Sequence, residues 1–410
     1  MSAGRNCRYC GAPLSVSFAD LGMTPLSNAY LKAGELHRKE AFYPLHAWVC
    51  GKCFLVQLEE FESPERIFGD DYAYFSSYSD LWLEHASEYV AMMVERFGYG
   101  RSSFVMELAS NDGYLLQFFN QRGVPVLGVE PAANVAATAE KKGVPTLVKF
   151  FGTGTARELA AEGKRPDLLI GNNVLAHVPD LNDFVEAMRI VLAPKGVITM
   201  EFPHLLRLMA ENQFDTIYHE HFSYFSFFVV ESVFASHGLT IFDVEEIPTH
   251  GGSLRIFARH RENTAPAVSR RVAELRQRER GAGLDSVAAY SAFADQVKAT
   301  KRRLLRFLID AKDAGKQVVG YGAPAKGNTL LNYCGIRADL LEYTVDRSPH
   351  KQGRFLPGTH IPIYAPEKLR ETKPDYVLIL PWNIKDEIRM QLSDLRSKLV
   401  VPIPKVAVLD

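Results

Sequence analysis

The fold is decided by residues 103–131, which read SFVMELA (103–109), Ser-Asn-Asp-Gly (110–113), a helical segment through Gln121, and VPVLGVEP (124–131). A short apolar run closed by a tight turn reads as a buried strand, and the turn opens directly into a helix. A second apolar run follows at once, which completes a strand–helix–strand unit. The same grammar continues outward. A helix runs to Lys142. VPTLVKFF (144–151), PDLLIGNNV (166–174) and GVITMEFP (196–203) give a third, fourth and fifth strand, and the helix DFVEAMRIVL is closed by Pro194-Lys195-Gly196. Strands alternating with helices predict a parallel sheet covered on both faces, an α/β Rossmann-like core.

Before this core, residues 80–97 carry apolar side chains at helical spacing and stop at Gly98. After it, residues 264–315 read as helices with Arg/Lys-rich outer faces, the run Lys301–Arg303 being a solvated face. The alternation then restarts with KQVVGYGA (316–323), LEYTVD (341–346) and DYVLILP (375–381), which predicts a second α/β unit. No repeats or low-complexity segments interrupt the chain.

The bulk numbers fit two or three globular domains: 410 residues, 47% hydrophobic, 23% charged. A net charge of −1 argues against a general nucleic-acid binder. No run approaches the roughly 18 apolar residues that span a bilayer, and MSAGRNCRYC has no signal-peptide core. The expectation is a cytoplasmic protein with neither nucleic-acid nor membrane partners. Its five cysteines then argue for metal or chemistry rather than disulfides.

Four of those cysteines form two CxxC knuckles, Cys7-Arg-Tyr-Cys10 and Cys50-Gly-Lys-Cys53, with 39 residues between them. Each knuckle puts two thiolates on one side of a tight turn, and two knuckles close a tetrahedral S₄ shell, the preferred structural zinc site. Gly11 and Gly51 suit the knuckle backbone. Cys334 stands alone and reads as a core residue.

The turn Glu107-Leu-Ala-Ser-Asn-Asp-Gly113 resembles the one with which class I methyltransferases hold the methionine end of S-adenosylmethionine (SAM). Glu107, Ala109, Asn111 and Gly113 are its candidate binding residues, although Ala109 stands where the first glycine is usual. Glu130, ending the next strand, is placed to accept two hydrogen bonds from a ribose diol. GxGxxG is absent, which disfavours NAD. Asn172 and Asn173, followed by Val-Leu-Ala-His177-Val-Pro179, end the fourth strand, where open α/β sheets bind ligands.

The densest chemistry lies in Tyr218-His-Glu220-His221-Phe-Ser-Tyr224. A His can act as base, a neighbouring Glu can hold its tautomer or share the proton, and a Tyr can donate to a developing oxyanion. The two His at i,i+2 do not suit a second metal. A Tyr-rich segment, Tyr72, Tyr74 and Tyr78, precedes the core and suits a hydroxyl-rich ligand.

With CxxC…CxxC, ELASNDG, NNVLAHVP, YHEHFSYFS and the C-terminal VGYGAPAKGNT (319–329) in this order, the chain closely resembles the dTDP-sugar C-3′-methyltransferases of antibiotic biosynthesis. The resemblance implies a zinc-binding module (1–65), a SAM-dependent methyltransferase core (66–262), a helical connector (263–315) and a C-terminal Rossmann-like domain (316–410), acting as a monomer. It implies a nucleotide-linked 4-keto-6-deoxy sugar as substrate, enolised beside its ketone and methylated on carbon. It assigns His221 as base, Glu220 as the neighbouring carboxylate, and Tyr218 and His177 to the keto oxygen. Tyr72 becomes the Tyr lining the sugar pocket, with Tyr74, Tyr78 and Tyr224 as further sugar contacts. Lys326 and Asn328 would meet the diphosphate, unless the C-terminal loop serves packing alone. Two other readings stay open: a sugar-nucleotide epimerase that uses the same enolising centre without methyl transfer, and a non-enzymatic zinc- and nucleotide-binding scaffold.

Overall fold

The computed structural model describes residues 5–63 and 75–409. Tyr72 and Tyr74 lie outside them. The chain opens with the antiparallel strands β1 (Val16–Thr24), β2 (Tyr43–Val49) and β3 (Val56–Leu58). A helix over Asp80–Phe97 follows. Ser79 caps its start by accepting from the Trp82 amide, and Gly98 ends it at φ 71° in the left-handed region that glycine enters without a Cβ clash. Ala86, Tyr89, Val90 and Met93 form its buried stripe.

The predicted parallel core is present as β4 (Val105–Leu108), β5 (Val126–Val129), β6 (Thr146–Leu147), β7 (Leu168–Asn172) and β8 (Val197–Pro203). The short β9 (Ser223–Tyr224) leaves this sheet and pairs antiparallel with β3. The hairpin β10 (Leu239–Ile247) and β11 (Ser253–His260) returns, with β11 antiparallel to β8. The central sheet therefore runs β10-β11-β8-β7-β4-β5-β6, with its switch between β4 and β7. A third sheet holds β12 (Val318–Tyr321), β13 (Thr344–Val345), β14 (Ile363–Tyr364), β15 (Tyr376–Ile379), β16 (Lys398–Val401) and β17 (Ala407–Val408), in the order β14-β13-β12-β15-β16-β17.

The three sheets are not three separate cores. Phe18, Leu45 and Val56 of the N-terminal sheet belong to the same buried cluster as Leu304, Val318 and Leu378. Phe18 stacks on Phe293 of the helix Phe293–Asp313, with ring centroids 4.6 Å apart. Among the described residues, no helix is long and apolar enough to cross a membrane.

Candidate active site

The four cysteines converge. Their sulfurs all lie within 4.8 Å of one another, with Cys7–Cys53 and Cys10–Cys50 each at 3.5 Å. A tetrahedron built on Zn–S bonds of about 2.3 Å has edges of about 3.8 Å, so the donor set fits zinc. Gln57 Nε2 donates to Cys7 Sγ at 3.2 Å, and the amides of Lys52 and Cys53 point at Cys50 Sγ. The knuckle backbones correct one expectation. Gly11 is left-handed at φ 70°, but the equivalent residue of the second knuckle is Phe54 at φ 65°, not Gly51. The strained position follows the second cysteine of each pair.

A cleft of about 1020 Å³ opens at the carboxyl ends of β4, β5 and β7 and reaches the C-terminal unit. Ala109, Asn111, Glu130, Asn172, Asn173, His177, Tyr218, Glu220, His221 and Lys326 all line it. Glu107 and Gly113 lie just behind. Gly113 at φ 74° shapes the turn, and the buried Glu107 has its carboxyl pushed well above the usual range, with Tyr114 pulling it back. Ala109 and Asn111 are themselves left-handed, at φ 51° and 50°. The turn thus keeps the glycine conformation without the glycine.

The cleft fits SAM. Glu130 Oε2 accepts from the Asn111 amide and Oε1 from the Ala132 amide, each at 2.9 Å, which leaves a lone pair on each oxygen for a diol. Asn172 is 9% exposed, and its Oδ1 and Nδ2 both lack partners. Buried amides are ordinarily satisfied, so this one fits a polar ligand.

Across the cleft stands the His/Glu/Tyr cluster. His221 Nδ1 lies 3.0 Å from the Thr216 carbonyl, which can only accept, so Nδ1 carries the proton and Nε2 holds the free lone pair. Burial, then the neighbouring His177, holds the imidazole well below its usual range, so it is neutral at neutral pH. His177 lies edge-on at 4.7 Å between centroids, and burial lowers it to about 4. The Tyr218 ring sits 4.0 Å from His221. Glu220 does not fix the His tautomer; the Thr216 carbonyl does. Instead, Glu220 accepts from Asn28 Nδ2 at 2.6 Å, and burial raises its carboxyl to about 7. His219 turns away, to the Pro44 carbonyl at 3.2 Å.

Three expected substrate contacts fall elsewhere. Tyr78 is 66% exposed and does not line the cleft. Tyr224 is buried behind His221 on β9, its ring 6.1 Å away, because β9 must pair with β3. Asn328 is buried and donates to the Ser27 carbonyl at 2.6 Å, so it ties the C-terminal helix to the N-terminal loop. Lys326 does reach the cleft; it donates to Asn383 Oδ1 at 2.8 Å and lies over the Trp382 ring. The cleft also recruits residues that local patterning does not single out: Asn28, Tyr30, Trp82, His250 and Asn383. Only His250 had a signal, a His before two glycines at a hairpin; it is left-handed at φ 57°.

The chain matches family models along most of its length: a zinc binding domain over residues 7–68, a methyltransferase domain over 82–244, and a C-methyltransferase C-terminal domain over 248–404. It is 36% identical to C-methyltransferase NovU of Streptomyces niveus over 98% of this chain and 96% of that one. The chain belongs to the SAM-dependent C-methyltransferase family. A ubiquinone biosynthesis O-methyltransferase of Bartonella tribocorum is 28% identical over 23% of this chain and 38% of that one. Among solved structures, magnesium protoporphyrin IX methyltransferase of Synechocystis with bound SAM covers 47% of this chain and 88% of its own, at 16% identity and TM-score 0.33. By its matched family domains, this C-methyltransferase has the class I SAM methyltransferase fold with a Cys₄ zinc site and a C-terminal methyltransferase domain. Its methyl donor is SAM.

Proposed function

We propose that this cleft methylates C-3′ of a nucleotide-linked 4-keto-6-deoxy sugar. The observation that carries the reading is His221, whose Nδ1–H is committed to the Thr216 carbonyl and whose Nε2 is left as a neutral base in a cleft shared with the SAM-binding turn. An unactivated C–H cannot attack a sulfonium methyl, so transfer to carbon needs a carbanion equivalent, and an adjacent ketone supplies one. In this reading His221 Nε2 removes the proton α to the C4′ ketone. Tyr218 and His177 stabilise the oxygen on which the enolate charge develops. Asn111, Glu130 and Asn172 would hold SAM, which would supply a methyl group to the C3′ carbon as its S–CH₃ bond breaks and S-adenosylhomocysteine leaves. Glu220 stands by as a carboxyl able to exchange a proton near neutral pH. Lys326, with Asn383, meets the diphosphate end.

Incubation with SAM and a panel of nucleotide-linked 4-keto sugars should give a product one methyl heavier by mass spectrometry, and His221→Asn should nearly abolish it. Substrate proton exchange in deuterated water without SAM consumption would instead identify an epimerase.

A further inference from the structure

The hairpin that carries the cysteines also reaches the reacting centre from its far end. The knuckles lie beyond Val49, at one end of β2, while the loop between β1 and β2 lies at the other, roughly 20 Å away for a seven-residue strand. That loop holds Asn28 against Glu220.

We propose that Asn28 is a positioning residue, supplied by the zinc module, that aims the Glu220 carboxyl into the cleft and stabilises its ionised form. The inference rests on the reading of Glu220 as part of the reacting centre. Asn28 is held in place by contacts on both sides of it. The preceding carbonyl, of Ser27, accepts from Asn328 Nδ2 at 2.6 Å. Tyr30, two residues on, donates to the Ala323 carbonyl, which also accepts from Lys351 Nζ at 2.9 Å. Both anchors belong to the C-terminal unit, so the loop is clamped before any ligand arrives. Glu220 itself is only 8% exposed. A carboxylate so buried must be met by a donor, or it takes up a proton. Among the described residues, the donor that meets it is the Asn28 amide.

The other titratable groups facing this carboxyl are accounted for. Tyr218, His219 and His221 flank it in its own segment, and His177 packs its side chain against the Glu220 backbone. Tyr30, with Lys351 and Asp346 behind it, closes the third side, and Lys326 lines the same cleft. Both His177 and His221 are held neutral by burial, so neither replaces the donor that Asn28 provides.

Infrared difference titration of the full-length zinc-loaded protein tests this. The carboxyl band that disappears in E220Q reports Glu220. In N28L its midpoint should move to higher pH by about one unit, the usual effect of losing one strong donor. N28D, which faces one carboxyl with another, should move it further. The acid limb of kcat/KM should shift with the midpoint, whereas a merely structural loop residue would lower kcat/KM without moving the limb. N28S gives the same reading should the leucine variant fail to fold. An unmoved midpoint, or an unmoved limb with E220Q inactive, overturns the role of Asn28. Full methyl transfer by E220Q would overturn the reading of Glu220 itself and leave the remaining site intact.

Discussion

At the scale of single residues, the site holds groups in conformations and protonation states that folding alone would not select. Ala109 sits at φ 51°, where a Cβ costs about 1–2 kcal/mol relative to glycine. Ala109→Gly relieves that cost but adds unfolded-state freedom worth about 0.5–1 kcal/mol. Thermal unfolding should therefore show Ala109→Gly equal to or slightly more stable than the parent, with SAM affinity retained. Ala109→Val should be destabilised by at least about 1 kcal/mol and lose SAM binding. Glu220 carries a larger burden. Its folded-state value, about 7, lies above its ordinary 4.5, so its contribution to stability is present below pH 4.5 and is lost as pH rises through about 7. Glu220→Gln removes that dependence. In urea unfolding, its stability relative to the parent should rise between pH 4.5 and 8, by up to about 3 kcal/mol. His177 and His250, each lowered to about 4, slope the other way, losing stability as pH falls from 6.5 towards 4.

At the scale of elements, the loop that carries Tyr218–His221 is fixed by what flanks it. Downstream, the helix Phe227–Ser236 begins with two amides, of Phe227 and Phe228, that donate to Glu279 at 2.7 Å each. Glu279 comes from the connector helix Arg270–Gly281 and also meets His204 Nε2 at 2.7 Å. Upstream, Trp382 Nε1 donates to Asp215 and Thr329 Oγ1 to the Ile217 carbonyl. Glu279→Ala strands a buried His and two helix-end amides. It should cost about 3–5 kcal/mol in denaturant unfolding, while Glu279→Gln, which keeps an acceptor, should cost less than half of that; equal losses would refute the capping role. None of this clamp is legible in the sequence, because its partners lie 51 to 167 residues apart. The elements themselves were legible where the pattern is local. The helix over residues 80–97 has the bounds that its spacing and Gly98 indicate, and the five core strands fall inside the predicted runs, four of them trimmed at both ends and β8 at its start alone. The β10–β11 hairpin and the pairing of β9 with β3 are tertiary choices that no local periodicity encodes.

At the scale of the whole molecule, the site is assembled from parts remote in sequence. Glu130, Asn172 and His221 could be placed from strand ends and residue chemistry. Asn28, Trp82 and Asn383 could not, since only packing brings them to the cleft; that same packing draws Tyr224 and Asn328 elsewhere, while Tyr78 is left exposed. The N-terminal sheet shares its core with the connector and the C-terminal unit, through Phe18 against Phe293 and the cluster around them. Zinc removal therefore should not unfold a detachable module. Structural zinc contributes on the order of 10 kcal/mol or more to small Cys₄ modules, and here the hairpin it staples also presents Asn28 and Tyr30 to the cleft. Cys53→Ser, or chelation of the native protein, should lower the calorimetric midpoint of one cooperative transition and weaken methyl transfer, with SAM binding reduced less because Glu130 and Asn172 lie on the central sheet. A separate low-temperature transition, leaving the main one unmoved, would mean that the shared core does not couple the units. The N-terminal sheet would then act as an independent attachment rather than as one wall of the active site.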